Sequence, residues 1–129
     1  MDKTKQNISK RNVEITEEYF TFLDHHISEV ISGNTADFMK INEIAVELHI
    51  SHKHLTHIIQ KETGNHPCYF YDLKIIEEAK KMLQEKKLTI SEIAAVLTYD
   101  PSNFSKFFKK MTGETPGAYR NNQQTHFNK

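Results

Sequence analysis

Apolar residues recur along the chain at intervals of three and four positions, and the whole pattern repeats after 49 residues. With that shift, nine of the 27 positions from Ile41 to Pro67 are identical to those from Ile90 to Pro116. Intervals of three and four place apolar side chains on one face of a helix. A shared pattern of this length indicates that each copy is one structural unit built from helices.

Helix start and stop signals divide each copy into two helices. They are Thr89 with Glu92 (a capping-box spacing), Asp100, Pro101 and Gly113 in the second copy, and Ser51 and Gly64 in the first. A side-chain cap or a proline opens a helix, and glycine commonly follows its last turn. Each copy is therefore predicted to be a short helix, a turn of about three residues and a second helix, which is the helix-turn-helix layout.

The rest of the chain is also predicted to be helical, with no convincing strand. Residues 69–85 form one long amphipathic helix, a helix capped at Thr16 and ending at Gly33 precedes both copies, and Pro116 opens a short helix through Tyr119. The expected fold class is all-α: two helix-turn-helix subdomains joined by a long linker helix, about seven helices in total. The predicted division is a flexible N-terminal segment (1–15), a first subdomain (16–68), the linker helix (69–86), a second subdomain (87–122) and a flexible tail (123–129).

The second helix of each copy leaves a polar face outside, and that face has no acidic side chain before Glu62. The residues predicted to point outward are His52, Lys53, Thr56, His57 and Gln60 in the first copy, and Ser102, Asn103, Ser105, Lys106, Lys109 and Lys110 in the second. Hydroxyl, amide and cationic groups bond base edges in a major groove or the flanking phosphates. One such face is ordinary for a surface helix, but the same face at the same place in both copies favours DNA binding.

A long run in the second copy resembles the C-terminal signature of AraC/XylS-type transcription regulators. The residues that carry it are Ile93-Ala94, Leu97, Asn103 to Lys110, Gly113, Pro116 and Tyr119-Arg120. Residues 44–67 are similar to the family's first helix-turn-helix, and residues 75–83 to its connecting helix. The resemblance covers about residues 18–121. It implies a sequence-specific transcription regulator with two recognition helices in successive major grooves, about 34 Å apart.

Carried over position by position, the resemblance also implies contacts and partners. Base contacts fall to Lys53, Thr56 and His57 in the first unit and to Ser102, Ser105 and Lys106, with Asn103, in the second. Gln60, Lys109 and the backbone N–H groups of the helix starts at Ser51 and Asp100 lie near phosphate. The implied partners are double-stranded DNA and RNA polymerase, without a membrane and without a cofactor. The resemblance does not decide which promoters are bound or whether the protein activates or represses transcription.

Several features depart from the family pattern. His49 and Thr98 stand where glycine is usual, at a turn position that suits a positive φ. Histidine tolerates this conformation, and threonine resists it at a cost of about 1–3 kcal/mol. The second turn looks one residue shorter than usual. Lys40 replaces a capping Ser or Thr, so the helix from Ile41 is expected to fray, and Lys106 stands where arginine often forms a fork to guanine.

Composition limits the classes of protein that fit. The 129 residues carry 17 Lys/Arg and 17 Asp/Glu, so the net charge is zero, which counts mildly against nucleic acid. The positive surplus lies in residues 71–129, where a polyanion site is expected. A single cysteine, no apolar run long enough for a membrane and no signal peptide predict a cytoplasmic protein. No heptad seam or long exposed apolar face remains, so a monomer is expected.

Three other functions have weaker support. The histidines at positions 49, 52, 54, 57 and 66 suggest a metal site, but no Cys or carboxylate completes a recognised spacing, so no metal is expected. An enzyme is not expected, since phosphate loops and nucleophile elbows are missing and Asp24-His25-His26 is predicted at the surface. The main alternative is a helical module that binds protein rather than DNA. If His52 and His57 lie near phosphate, DNA affinity is expected to rise as pH falls.

Overall fold

The computed structural model describes the backbone of residues 2–127 and the side chains of residues 10–122. Seven helices and no strand occur over these residues, which confirms the all-α prediction. The helices are α1 (Asp2–Ile31), α2 (Ile41–Glu47), α3 (His52–Thr63), α4 (Pro67–Glu85), α5 (Ile90–Val96), α6 (Pro101–Thr112) and α7 (Pro116–Phe127). No helix in the part of the chain that the structure describes is long and apolar enough to cross a bilayer.

The sequence repeat is reproduced helix by helix. Helices α2 and α5 have 7 residues each, and α3 and α6 have 12 residues each. The predicted caps are present: Ser51 Oγ accepts a hydrogen bond from the His54 N–H, and Thr89 and Glu92 exchange both bonds of the capping box. Helices α3 and α6 both end at a glycine whose backbone is in the left-handed region. The sequence signals therefore placed both helix-turn-helix units correctly.

Helix α1 starts well before the predicted cap at Thr16. Thr16 lies inside the helix, where its Oγ1 donates a hydrogen bond to the Asn12 carbonyl oxygen at 2.8 Å. Asn12 and Ile15 are buried on the inner face of the same helix. The prediction of a helix start at Thr16 is therefore wrong. The predicted flexible tail (123–129) and most of the predicted flexible N-terminal segment (1–15) lie outside the described side chains, and the domain division stays a prediction.

Two further helix starts use residues outside the usual capping set. Helix α4 begins at Pro67, because His66 Nδ1 accepts a hydrogen bond from the Cys68 N–H at 3.1 Å and caps the helix. Lys40, at the start of α2, has no acceptor on its side chain. Instead Glu43 Oε1 accepts from the Lys40 N–H at 2.7 Å, which satisfies the N–H of the residue before the helix.

One core cluster joins the two units through α4. This helix packs against α1 and α3 in the first unit and against α5, α6 and α7 in the second. Its buried residues Ile75, Ile76, Ala79 and Leu83 belong to the same cluster as residues of both units. The Tyr19 hydroxyl also donates to the Pro67 carbonyl oxygen at 2.8 Å, which attaches the start of α4 to α1. The linker helix therefore supplies core to both units.

His26 does not lie at the surface, although its neighbours Asp24 and His25 do. Its side chain is 5% exposed, and its Nε2 accepts a hydrogen bond from the Met39 N–H at 2.9 Å. Burial lowers the pKa of His26, and the charge of His25 lowers it further. The surface prediction is wrong for this residue. A neutral imidazole instead attaches the loop before α2 to α1.

Candidate nucleic-acid interface

The outer face of α3 collects the contact residues predicted for the first unit. Leu55, Ile58 and Ile59 are buried, as predicted. The exposed or half-buried residues of the opposite side are His52, Lys53, Thr56, His57 and Gln60. These five line one shallow groove together with His66 from the start of α4. The predicted residues of the first unit are thus brought together on one surface, while their contact with DNA stays a prediction.

His66 was not among the predicted site residues. Its Nδ1 is already occupied as an acceptor for the Cys68 N–H, so in the neutral ring the proton is on Nε2, which leaves a donor available. The repeat contained a signal for this position, because Thr115 precedes Pro116 as His66 precedes Pro67. Thr115 Oγ1 accepts from the Ala118 N–H at 3.1 Å, so both positions open a helix with a polar side chain.

The outer face of α6 matches that of α3. Phe104 and Phe108 are buried, and Met111 is half-buried against the core, as predicted. The predicted contact residues are exposed, apart from the half-buried Ser105: Ser102, Asn103, Ser105, Lys106 and Lys109. No acidic residue occurs in this helix. The second unit therefore presents three lysines, including Lys110, and three small polar side chains.

The lysines of α6 do not have equal electrostatic surroundings. Asp72 of α4 is partly buried, and its burial raises the pKa of that carboxyl while the charge of Lys110 opposes the rise. Lys110 therefore faces a carboxylate of its own protein. Lys106 and Lys109 have no ion pair within 4 Å among the described side chains. These two charges are the ones most available to an outside anion.

The N–H groups at the start of α6 are already occupied. Asp100 Oδ2 accepts hydrogen bonds from the Ser102 N–H at 3.0 Å and from the Asn103 N–H at 3.4 Å. These groups were expected to help hold a phosphate, and that expectation is wrong for α6. A carboxylate at this position also repels phosphate. Any phosphate contact near the second unit is left to side chains such as Lys109.

The two turns have the same conformation. Four residues separate the helices in each unit, and His49 and Thr98 both have φ of 62°. After each of them a backbone N–H bonds back into the first helix: Ile50 to the Ala45 carbonyl at 3.1 Å, and Tyr99 to the Ala94 carbonyl at 2.8 Å. The positive φ predicted for this position is confirmed. The second turn is as long as the first. The expected shortening relative to the usual family turn stays a prediction.

A hydrogen bond that the sequence did not indicate links the two units near these turns. Thr98 Oγ1 donates to Asp37 Oδ1 at 2.9 Å, and Asp37 lies in the loop before α2. The Tyr71 hydroxyl of α4 donates to the Met39 carbonyl oxygen of the same loop at 2.9 Å. The loop is thus attached both to the linker helix and to the turn of the second unit. These contacts fix one unit relative to the other.

The histidines do not form a metal site with each other or with carboxylates in the described part of the chain. No group of three His, Cys, Asp or Glu side chains there has an arrangement that could hold an ion. The residue Cys68 is exposed and forms no disulfide. Partial burial of its thiol raises the pKa of that group, and the charge of Asp72 adds to the rise.

The chain is similar to known transcription regulators over most of its length. The chain aligns over 121 residues with the arabinose operon regulatory protein of Escherichia coli K12, at 26% identity, covering 90% of this chain and 41% of that protein. The chain spans only 15–38% of the length of three other curated relatives, all transcriptional regulators of Bacillus subtilis.

Solved structures share the fold. The C-terminal domain of AraT, a response regulator of Geobacillus stearothermophilus, superposes with a TM-score of 0.72 at 27% identity, covering 84% of each chain. The DNA-binding domain of AdpA, solved with a target DNA, has a TM-score of 0.64 at 17% identity, covering 78% of this chain and 95% of that one. Residues 44–122 match a family model described as a helix-turn-helix domain, and they include both turns and both polar helices. The chain therefore belongs to the AraC-type helix-turn-helix family of DNA-binding transcription regulators.

Proposed function

We propose that this chain binds double-stranded DNA by placing α3 and α6 in successive major grooves on one face of the duplex. Each helix would read one half-site, and the two half-sites would lie about one helical turn, or 34 Å, apart. Helix α4 would set that distance, because it packs against both units.

The observation that supports the proposal is the matched polar outer face of the two recognition helices, which has no acidic side chain from His52 to Lys61 in α3 or anywhere in α6. Both helices follow turns of equal length and equal φ, so they leave their turns in the same way. Base contacts are proposed for Lys53, Thr56 and His57 in α3, and for Ser102, Asn103, Ser105 and Lys106 in α6. Gln60 and Lys109, one turn further along each helix, are proposed to bind phosphate.

A salt titration of DNA affinity tests the proposal. Fluorescence anisotropy on a labelled mixed-sequence duplex, between about 50 and 200 mM salt, measures how many phosphate contacts form. Lys53→Ala and Lys106→Ala each remove one positive charge from a different unit. We expect both to weaken binding and to lower the salt dependence. A matched control is Lys81→Ala, since Lys81 is an exposed lysine of α4 paired with Glu78 at 3.5 Å.

The results separate three interpretations. Loss with both variants, but not with Lys81→Ala, supports binding through both units. Loss with only one variant means that a single unit engages DNA, which contradicts the two-groove arrangement. Absence of binding even at low salt sinks the proposal and favours the protein-binding module.

We also propose that the chain is a cytoplasmic monomer without enzymatic activity and that RNA polymerase is its protein partner in transcription. The monomer is supported by the distribution of exposed apolar side chains. Among the described residues, the large ones are Val13, Val46 and Tyr69, each on a different helix. A dimer mass in sedimentation equilibrium would contradict this state.

A further inference from the structure

The recognition helices of the two units differ in charged side chains at positions that the repeat makes equivalent. With the 49-residue shift, His57 of α3 corresponds to Lys106 of α6, and Gln60 corresponds to Lys109. Both His57 and Lys106 are exposed on the outer face. A lysine keeps its charge throughout the physiological range, whereas a histidine gains or loses its charge within that range. The first unit thus has a titratable group where the second has a permanent one.

The groove around His57 contains no carboxylate that would neutralise a protonated ring. Its charged or titratable lining residues are His52, Lys53 and His57 from α3 and His66 from the start of α4. Helices α1 and α2, which also contact α3, contribute no residue to this lining. A DNA phosphate that enters the groove would therefore be the nearest negative charge to these imidazoles, and it would favour their protonated forms.

The histidines of the groove do not have the same role. His66 uses Nδ1 to accept from the Cys68 N–H, so adding a proton there would break the cap of α4. His66 is therefore suited to donate from Nε2 in its neutral form. His52 corresponds to Pro101, so the second unit has no charge at that position with which to compare it. Of the three histidines in this groove, only His57 corresponds to a permanently charged residue, Lys106, in the other copy of the repeat.

We propose that His57 takes up a proton when the first unit binds DNA, so that this unit binds more tightly as pH falls while the second unit does not. The inference rests on the proposed function and adds a form of regulation to it. At about pH 8 the first unit would hold DNA with Lys53 as the permanent cation of its groove, and at about pH 6 His57 would add a second positive charge there.

The test is anisotropy on a labelled mixed-sequence duplex at constant ionic strength, at about pH 8, 7 and 6, with far-UV circular dichroism confirming the fold at each pH. If phosphate favours the protonated ring about tenfold, affinity should rise roughly sixfold between pH 8 and pH 6. His57→Lys should bind at pH 8 as tightly as at pH 6. His54→Ala, which changes an exposed histidine of α3 outside the groove, should keep the wild-type rise.

The reciprocal variant tests the equivalence of the two positions. Lys106→His should weaken binding at pH 8 and make the rise towards pH 6 steeper than in wild type. Flat wild-type affinity would overturn the inference while leaving DNA binding intact, and so would a pH dependence that persists in His57→Lys. Failure to bind DNA at any pH and low salt would instead refute the proposed function, and this inference with it.

Discussion

At the scale of single residues, Thr98 has a backbone conformation that is unfavourable for threonine. It holds φ of 62° in the second turn, a conformation that costs an L-residue about 1–3 kcal/mol. Its hydroxyl bonds Asp37. Thr98→Gly and Thr98→Ala both lose that bond, but only glycine relieves the strain. We expect Thr98→Gly to be more stable than Thr98→Ala by about 1 kcal/mol in urea unfolding.

The first unit offers a matched control for this comparison. His49 has the same φ and its side chain is exposed, so His49→Gly and His49→Ala should differ in the same direction. An alanine variant at Thr98 that is as stable as the glycine variant would show that the turn is not strained.

His26 links stability to pH. Burial lowers its pKa, and its neutral Nε2 accepts from the Met39 N–H. The unfolded chain therefore binds a proton more readily than the folded protein. The contribution of His26 is fully present above about pH 6.5 and is lost as pH falls towards the lowered folded value, by at most about 1.4 kcal/mol per pH unit. We expect the free energy of unfolding to fall between pH 7 and pH 5.

The His26→Gln variant identifies the source of this slope. It is expected to be less stable at pH 7, and its unfolding free energy should fall less steeply towards pH 5 than that of wild type. Equal slopes in the two proteins would assign the pH dependence to other groups.

At the scale of elements, Arg120 holds three segments together. From α7 its guanidinium donates to the Leu83 carbonyl oxygen at 2.9 Å, the Met82 carbonyl oxygen at 3.4 Å and the Leu88 carbonyl oxygen at 2.8 Å. The first two are at the end of α4, and Leu88 is in the loop that leads to α5. A planar guanidinium serves several carbonyls at once, which an ammonium group does less well.

Replacement of Arg120 should therefore destabilise the second unit. We expect Arg120→Lys to lower the free energy of unfolding by about 2 kcal/mol, since the charge is kept but an ammonium group does not serve all three carbonyl oxygens at once. Arg11→Ala is the control, because Arg11 makes only exposed ion pairs with Glu14 and Glu18 and should cost about 0.5 kcal/mol or less. Similar losses in both variants would deny Arg120 this role.

Helix boundaries could be predicted from the sequence where a local signal decides them. The capping box at Thr89 and the glycines after α3 and α6 act within one turn, and the 49-residue repeat supports the glycine signal with a second copy. Thr16 was misread because a threonine hydroxyl can either cap a helix or bond a carbonyl four residues earlier, and here it does the latter. The start of α4 was missed because an imidazole replaces the usual capping oxygen.

Part of the candidate site could also be predicted from a local pattern, and part could not. Which residues of α3 and α6 lie outside follows from helical periodicity, and the structure places them there. The roles of Asp37 and Arg120 depend on contacts with residues 61 and 37 positions away along the chain, for which a single sequence has no local pattern. His26 was placed at the surface because two polar neighbours masked its position on the inner face of α1.

At the scale of the whole molecule, zero net charge is compatible with a DNA-binding surface because the charges are segregated. Helix α6 has three lysines and no acid, while Glu14, Glu17 and Glu18 lie together beside a shallow groove that Phe22 and Leu48 also line. Screening within about 10 Å limits what a distant carboxylate does to a lysine at the DNA surface. The local face, rather than the total charge, therefore decides polyanion binding.

The shared core predicts that the two units unfold together. Leu55 of the first unit and Phe104 of the second are fully buried in one cluster that runs through α4. Leu55→Ala should cost about 2–5 kcal/mol and Phe104→Ala about 3–5 kcal/mol. Because α4 supplies core to both units, each variant should shift a single transition, measured together by far-UV circular dichroism and tyrosine fluorescence in urea.

Two separate transitions in either variant would contradict this coupling and would make each unit an independent domain. The distinction matters for DNA binding, because independently folded units on a loose connection would tolerate variable spacing between half-sites. Units that share one core through α4, and that are also attached through Thr98 and Asp37, hold one spacing. A single cooperative transition should therefore accompany a sharp loss of affinity when half a helical turn of DNA, about five base pairs, is inserted between the half-sites.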